Sequence, residues 1–514
     1  MKGKASRLTP AALATFIVAL ALYAYRELAA RPFAADDYQW LLNVRGLSFG
    51  QLMRQAFNPS AQSHFYRPLV WLLFWAQTRA FGLDPRGFHA ISLGLPLLNA
   101  GLLGWLAYRL TPKLRIENEQ LRAPVQFSIP LLAMAIVALH PAPFEAVVWV
   151  SAQSELLAAL LLLAAMLFWT MDDGRRAMDD GSGHTIVYCL SSIVFRPWSI
   201  LATLALGLAL LAKESAVIGL PLLFLVEPSK LQSFKPSNLQ RFRPYLPPLL
   251  LTLAYVGLQI GIERRNYLLE QGGYGLGPQL LLNPLRSLAL IVAPLPGTEH
   301  ADAVWLVLVG ALIAIVLLIC WVSDFGLWKR LPQSKIATPK SKILIALAFT
   351  LLPTAPFVSP PDSRYLYLPV MAAALLIALG LYQGRRTKDE RQPLPVSALS
   401  SFAFRLSSWT LILGIVWAAQ GELHEREWRF AAASGPGGSL WRLASAVCAE
   451  SHPDRMVIVE PPLAPPHTEA IVGLSCGERT HTRIVGRDQI DGAIKGHSVV
   501  IAFPNGSAQV ERRT

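Results

Sequence analysis

Long apolar runs broken by short polar loops dominate the chain as far as about residue 420. A bilayer core takes about 20 apolar residues in helical form, so this pattern predicts a polytopic helical membrane protein. Spans are expected near residues 10–30, 87–109, 127–143, 153–170, 187–211, 215–227, 244–262, 302–323, 343–358, 365–384 and 403–420. Two further apolar stretches, the aromatic-rich 66–82 and the Pro-bounded 284–296, are short. Both suit interfacial or re-entrant helices better than full spans. The pattern changes after Gln420: residues 421–514 are polar, with Pro436-Gly437-Gly438, Pro461-Pro462 and Pro465-Pro466 predicting loops. Within them, Met456–Val459 and Ser498–Phe503 predict short buried strands. The expected organisation is an all-α transmembrane domain of about 11 helices over residues 1–420 and a small soluble α/β domain over residues 421–514.

Composition agrees with this class: 53% of the 514 residues are hydrophobic and 15% are charged, and the mean hydropathy is +0.40. The net charge of +13 does not argue for a nucleic-acid partner, because the basic residues cluster in short loops as the positive-inside rule requires. Lys2, Lys4 and Arg7 hold the N-terminus in the cytoplasm, and the first apolar run reads as an uncleaved helix. The groups Arg109 to Arg122, Lys230 to Arg243, Lys329 to Lys342 and Arg385 to Arg391 all fall inside with eleven spans, which leaves the C-terminus outside. Cys189 and Cys320 lie in or beside apolar runs and read as packing residues. Cys448 and Cys476 both lie in the tail, where an oxidising compartment would let them pair. No Cys/His cluster has the spacing of a structural zinc site.

Against this apolar background, Phe33-Ala-Ala-Asp36-Asp37-Tyr38 sets two carboxylates just past the first span. Charge at a membrane exit is costly, and its usual work there is as a general base, a metal ligand or a cation path. Other polar groups share the same outer side in this topology: Arg67, His140 with Glu145, Gln153 and Glu155, Lys213-Glu214, and Asp362 with Arg364-Tyr365-Leu-Tyr367. Carboxylates beside cations suit an enzyme of a lipid-phosphate substrate. Each piece also has a plain structural reading. The aspartates read as helix caps or a solvated loop, His140-Pro141 as a helix stop, Lys213-Glu214 as a local ion pair, and Arg364 with its tyrosines as an aromatic belt. The convergence of the pieces outweighs these readings.

In these residues the chain resembles the multispanning GT-C glycosyltransferases, especially relatives of the protein O-mannosyltransferases. The resemblance rests on Phe33–Tyr38, Tyr66-Arg-Pro-Leu69, Phe81–His89, Leu97–Ala100, His140–Val147, Leu210–Val217 and Arg364–Pro369, in order over roughly residues 10–385. It implies a GT-C-like fold and a hexosyl- or pentosyltransferase that uses a polyprenyl-phosphate-linked sugar. The acceptor would be an extracytoplasmic protein, glycan or lipid. The expected place is the bacterial inner membrane, with the active site and the C-terminal domain on the periplasmic side. By this resemblance Asp37, or its neighbour Asp36, is the base or a metal ligand, and transfer inverts the anomeric centre. Lys213, Arg364, Tyr365 and Tyr367 would bind the donor phosphate, supported by Arg67, His140, Glu145 and Glu214. If a divalent cation takes part, Asp37 and Glu145 are its expected ligands.

The chain departs from the family at Pro96, where a His is usual, at Ser151–Glu155, which replaces a Gly-Arg stretch, and in a tail without tetratricopeptide repeats. Readings from other classes are a transporter or lipid flippase, and a non-catalytic subunit of an envelope assembly. No internal repeat of the transporter kind is visible in the sequence.

Overall fold

The computed structural model describes residues 9–61, 65–110, 119–179, 197–226, 244–263, 273, 275, 277–292, 307–315, 346–357, 362–389, 398–477 and 479–513. The described residues are mostly helical, with one small sheet among them near the C-terminus. Helix α1 (Pro10–Ala24) starts at Thr9, whose hydroxyl accepts from the Ala12 amide, and Pro10 stands in the first turn, where its missing N–H is no loss. Three short helices follow, α2 (Asp37–Val44), α3 (Phe49–Ala56) and α4 (Pro68–Phe81). The bundle continues with α5 (Pro85–Leu110), α6 (Glu119–Leu139), α7 (Phe144–Val148) and α8 (Gln153–Asp179). Beyond them lie α9 (Pro197–Ala212), α10 (Gly219–Val226), α11 (Leu246–Glu263), α12 (Gln279–Val292) and α13 (Tyr367–Asp389). The core of the bundle is built where α8 packs on α9 and on α5, and α5 and α13 pack on α6.

Among the described residues three helices are long and apolar enough to cross a membrane: Pro10–Ala30, Pro85–Leu110 and Val150–Met171. Six shorter apolar helices accompany them, including Phe127–Leu139 and Pro197–Ala212. The expected count of eleven spans is therefore not reached by length and composition among these residues. One shortfall has a local cause. The helix expected over 127–143 stops at Leu139, because Pro141 pushes His140 away from helical geometry. Residues 187–196 of the span expected over 187–211, and 302–306 and 316–323 of the span expected over 302–323, fall outside the described residues. The short aromatic stretch does form a single 14-residue helix, α4, while α12 begins five residues before the expected 284.

Helix α14 (Ala398–Ser451) carries the chain without interruption past residue 420. The loop expected at Pro436-Gly437-Gly438 is thus a helical segment, and its glycines serve close approach instead of turning. A Cβ on Gly437 would lie 3.2 Å from the Tyr38 ring, and one on Gly438 would lie 3.0 Å from Pro32. Beyond α14, the tail forms β1 (Arg455–Val459), α15 (Pro465–Cys476), β2 (His481–Val485), β3 (Ser498–Ala502) and β4 (Gln509–Arg513). The sheet order is β2-β1-β3-β4, parallel except for β4.

Both faces of β1 and β3 are covered, as central parallel strands require. Val457, Val459, Val500 and Ala502 face a small outer cluster. Met456, Ile458, Val499 and Ile501 join a larger core that also contains Phe33, Tyr38, Leu41, Phe74 and Phe88. The tail and the loop after α1 therefore share one hydrophobic core. Cys448 of α14 and Cys476 of α15 are joined by a disulfide.

Candidate active site

The acidic loop is set by an uncommon backbone conformation. Ala35 has φ +45°, a left-handed geometry that costs a residue with a Cβ about 1–2 kcal/mol. It turns the chain so that the Ala34 amide reaches back to Asp37 Oδ2 at 2.9 Å, while Tyr38 Oη donates to the Phe33 carbonyl at 3.0 Å. Asp37 then points inward. Its Oδ1 accepts from the Ser151 amide at 2.7 Å and from the Ser151 hydroxyl. Asp37 is 1% exposed and lies outside the spanning helices. Burial raises its carboxyl from the ordinary 3.8 to about 7, and the three hydrogen bonds hold it from rising further. A carboxyl poised near neutrality is matched to proton transfer at physiological pH.

Asp36 takes the opposite course. Its side chain is 46% exposed, and its Oδ1 accepts from His467 Nε2 of α15 at 2.8 Å.

Three ion pairs stand on the neighbouring elements. Arg67, at the start of α4, grips Glu214 through two hydrogen bonds of 2.8 and 2.7 Å. Lys213 pairs with Glu155 of α8, both side chains being 3% exposed, and its ammonium lies 4.8 Å from the centre of the Tyr365 ring. Lys213 and Glu214 therefore do not pair with each other. Lys213 is extended (φ −161°, ψ 142°), and successive side chains on extended backbone point apart. Arg364 pairs with Asp362 at 2.7 Å, and its guanidinium lies over the Trp149 ring at 4.4 Å. Trp149 in turn donates from Nε1 to the Ala34 carbonyl at 3.2 Å. A continuous line of contacts thus runs from Asp37 through Trp149 to Arg364, Tyr365 and Lys213.

Other expected site residues are placed differently. Tyr367 is buried, and its hydroxyl accepts from Asn99 Nδ2 at 3.1 Å, which ties α13 to α5. That contact joins two helices of the bundle. Tyr365 packs on Phe357 at 4.6 Å between ring centres and lies under both Arg364 and Lys213. His140 is bonded on both ring nitrogens: Nδ1 accepts from the Ala142 amide at 3.2 Å, so Nε2 carries the proton and donates to the Ile291 carbonyl at 2.9 Å. It is a neutral histidine that joins α6 to α12. Glu145 accepts from the Arg364 amide at 3.4 Å, and its own amide donates to Ser363 Oγ at 3.2 Å. Gln153 is fully buried in a network with Gln77, Ser92 and the Phe88 carbonyl.

Of the two ligands expected for a divalent cation, Asp37 already accepts two hydrogen bonds on Oδ1 and one on Oδ2, and Glu145 accepts from the Arg364 amide. Among the described residues no group of three His, Cys, Asp or Glu is arranged to hold an ion. The residues that sequence reasoning passed over are Ser151, Trp149 and His467. A serine, a tryptophan and a histidine in apolar or Pro-rich contexts carry no signal until the fold supplies their partners.

No protein-family model matches the chain, and no curated protein matches it. Among solved structures, the chain is similar to ArnT from Cupriavidus metallidurans in the apo state, at 13% identity and a TM-score of 0.47 over 97% of this chain and 96% of that one. It is also similar to the same ArnT bound to undecaprenyl phosphate, at 13% identity and a TM-score of 0.45 over 96% and 93% of the two chains.

Proposed function

We propose that the chain is a GT-C-type membrane glycosyltransferase that moves a sugar from a polyprenyl-phosphate donor to an extracytoplasmic acceptor, with Asp37 as the general base. The observation that carries this reading is the buried Asp37, held near neutrality and joined through Trp149 to a cluster of cations. In this mechanism the carboxylate takes the proton of an acceptor hydroxyl or amine. The freed oxygen or nitrogen attacks the anomeric carbon from the face opposite the phosphate. The bond from carbon to phosphate oxygen breaks, the configuration inverts, and the electron pair leaves with the lipid phosphate.

The cations differ in their readiness to meet that phosphate. Each is already paired, so a phosphate must compete with a carboxylate. The Arg364–Asp362 pair is the easiest to open, since the side chains are 20% and 49% exposed and surface pairs are worth about 0–1 kcal/mol. Lys213 and Glu155 are closed off, and separating a buried pair leaves an uncompensated charge. Arg364 is therefore assigned to the departing phosphate, where a guanidinium grips two oxygens at once. Arg67, partly exposed at 14%, stands behind it. Lys213 supports the field through the Tyr365 ring without direct contact.

The disulfide supports an outer location for the tail, since such bonds persist in oxidising compartments. The tail shares its core with the acidic loop, so the site would lie on the same side. The test is a transfer assay on purified protein with polyprenyl-phosphate sugars, reading the acceptor product by mass spectrometry. Wild type should turn over. Asp37→Asn should lose about 10²–10⁴-fold, the usual effect of removing a general base. Equal turnover by the two proteins refutes the assignment.

A further inference from the structure

Helix α15 runs beside α2 and is fastened to it at both ends. Near its start, His467 donates to Asp36, the residue that precedes α2. Near its end, the carbonyls of Gly473 (3.0 Å) and Leu474 accept from Arg45, which caps the end of α2. At the second of these points Leu42 also lies against Gly473, where a Cβ would meet both of its methyl groups at 3.4 Å. Start lies on start and end on end, so the two helices are parallel. Parallel helix dipoles side by side repel. A guanidinium on the carbonyl end of α15 and carboxylates at the amide end of α2 offset that repulsion. A third fastening, the Cys448–Cys476 bond, ties the last residue of α15 to α14. Helix α14 in turn presses Trp441 on the rings of Phe33 and Tyr38, at 5.8 and 6.3 Å between centres.

The loop so enclosed needs fastening. Ala35 is strained, and a strained residue persists only where its surroundings over-determine it. Inside the loop, the Ala34 amide and the Phe33 carbonyl are each held by one bond, and the Ala34 carbonyl accepts from Trp149 Nε1 and from the Asp37 amide. Asp36, between the strained residue and the buried carboxylate, is held through His467.

We propose that α15 is a splint for the acidic loop, and that His467 is a positioning residue that fixes Asp37 through Asp36. The tail then belongs to the active site in a structural sense, from a position 431 residues away in sequence. The effect on turnover rests on the transferase reading above; the effect on the loop does not. The size follows from exposure. A hydrogen bond to a carboxylate is worth most when buried, and Asp36 is half-exposed, so loss of the bond should loosen the loop about 3- to 10-fold.

The test uses the full-length protein in detergent, with His467→Ala and His467→Gln beside wild type. Gln keeps a donor near the place of Nε2. Amide hydrogen exchange is followed by mass spectrometry in peptides covering residues 33–38 and 465–476, and donor kinetics are measured in parallel. In His467→Ala, exchange at 33–38 should rise about 3- to 10-fold while α15 stays protected. The kcat should fall by a similar factor with the donor KM unchanged, and His467→Gln should restore both. Unchanged exchange at 33–38 overturns the proposal. So does loosening spread equally over α15, which marks a merely structural residue. A local rise in exchange in a protein whose wild type transfers no sugar sustains the splint and removes the transferase reading.

Discussion

Ser151→Ala isolates the feature on which the base assignment depends. The Ser151 hydroxyl and amide both donate to Asp37 Oδ1, and both stabilise the charged carboxylate against the pull of burial. The substitution removes the hydroxyl, keeps the amide bond at 2.7 Å and creates little empty volume. A hydrogen bond to a charged group is worth about 1.5–3 kcal/mol, and each pH unit corresponds to about 1.36 kcal/mol. The lost bond therefore raises the Asp37 carboxyl by about one to two pH units, from about 7 to a value near 8 or 9. A base works only when deprotonated, so the acid limb of the rate profile must move to higher pH. At pH 7 the active fraction falls from about half to roughly 1–10%, and kcat/KM should fall about 5- to 50-fold. At high pH most of this loss should be recovered.

The assay is kcat/KM for the polyprenyl-phosphate donor from about pH 5.5 to about 9.5, since this ratio reports the ionisation of the free enzyme. Ser151→Thr, which keeps a hydroxyl, should hold the limb near its wild-type place. If Ser151→Ala loses the same factor at every pH and its limb stays put, Ser151 serves the fold alone. Asp37 is then not the group whose ionisation governs the reaction.

Two further outcomes test the cations and the topology. Arg364→Ala should raise the donor KM about 10- to 100-fold with folding intact, and Arg364→Lys should recover part of this, because an ammonium cannot grip two phosphate oxygens. Lys213→Ala should instead destabilise by about 3–5 kcal/mol by stranding Glu155, and Lys213→Met with Glu155→Leu should restore expression and thermal stability; a stable Lys213→Ala protein with a raised donor KM would put Lys213 in contact with donor. For the tail, a membrane-impermeant thiol reagent on intact cells should label Cys476 only after reduction, while Cys448, 1% exposed, should need denaturation as well. Labelling only after lysis would place the tail inside.

Features with a strong local cause were legible in the sequence. Short unbroken apolar runs made the strands at 455–459 and 498–502 visible within a residue or so of their ends, and the structure buries them on both faces. The two tail cysteines are paired, and the short aromatic run at 66–82 is one short helix. The acidic pair stood out because carboxylates are rare in such a chain. What stayed hidden depends on contacts across long stretches of sequence. Ser151 meets Asp37 across 114 positions, and nothing in a serine announces a carboxylate partner. The partner of Tyr367 was equally hidden: it shares a motif with Arg364, yet the start of α13 turns it inward to Asn99. Pro436-Gly437-Gly438 carries the composition of a loop. Its glycines serve another need, the close passage of α14 over Tyr38 and Pro32, which only the packed structure makes plain.

The two aspartates divide their work because of one turn of backbone. Had the chain entered α2 through ordinary extended residues, Asp36 and Asp37 would both sit near the helix start, repelling each other and sharing solvent. The left-handed Ala35 instead sends Asp37 into the protein and leaves Asp36 at the surface. Burial then lifts the inner carboxyl toward neutrality, with the neighbouring Asp36 charge adding a small push in the same direction. The outer carboxylate is left free to be held by His467. One residue supplies the basicity and the other supplies the handle by which the tail holds it in place. On this argument Asp36→Asn, which still accepts a hydrogen bond from His467, should be mild. Asp37→Asn, which removes the basic group, should not.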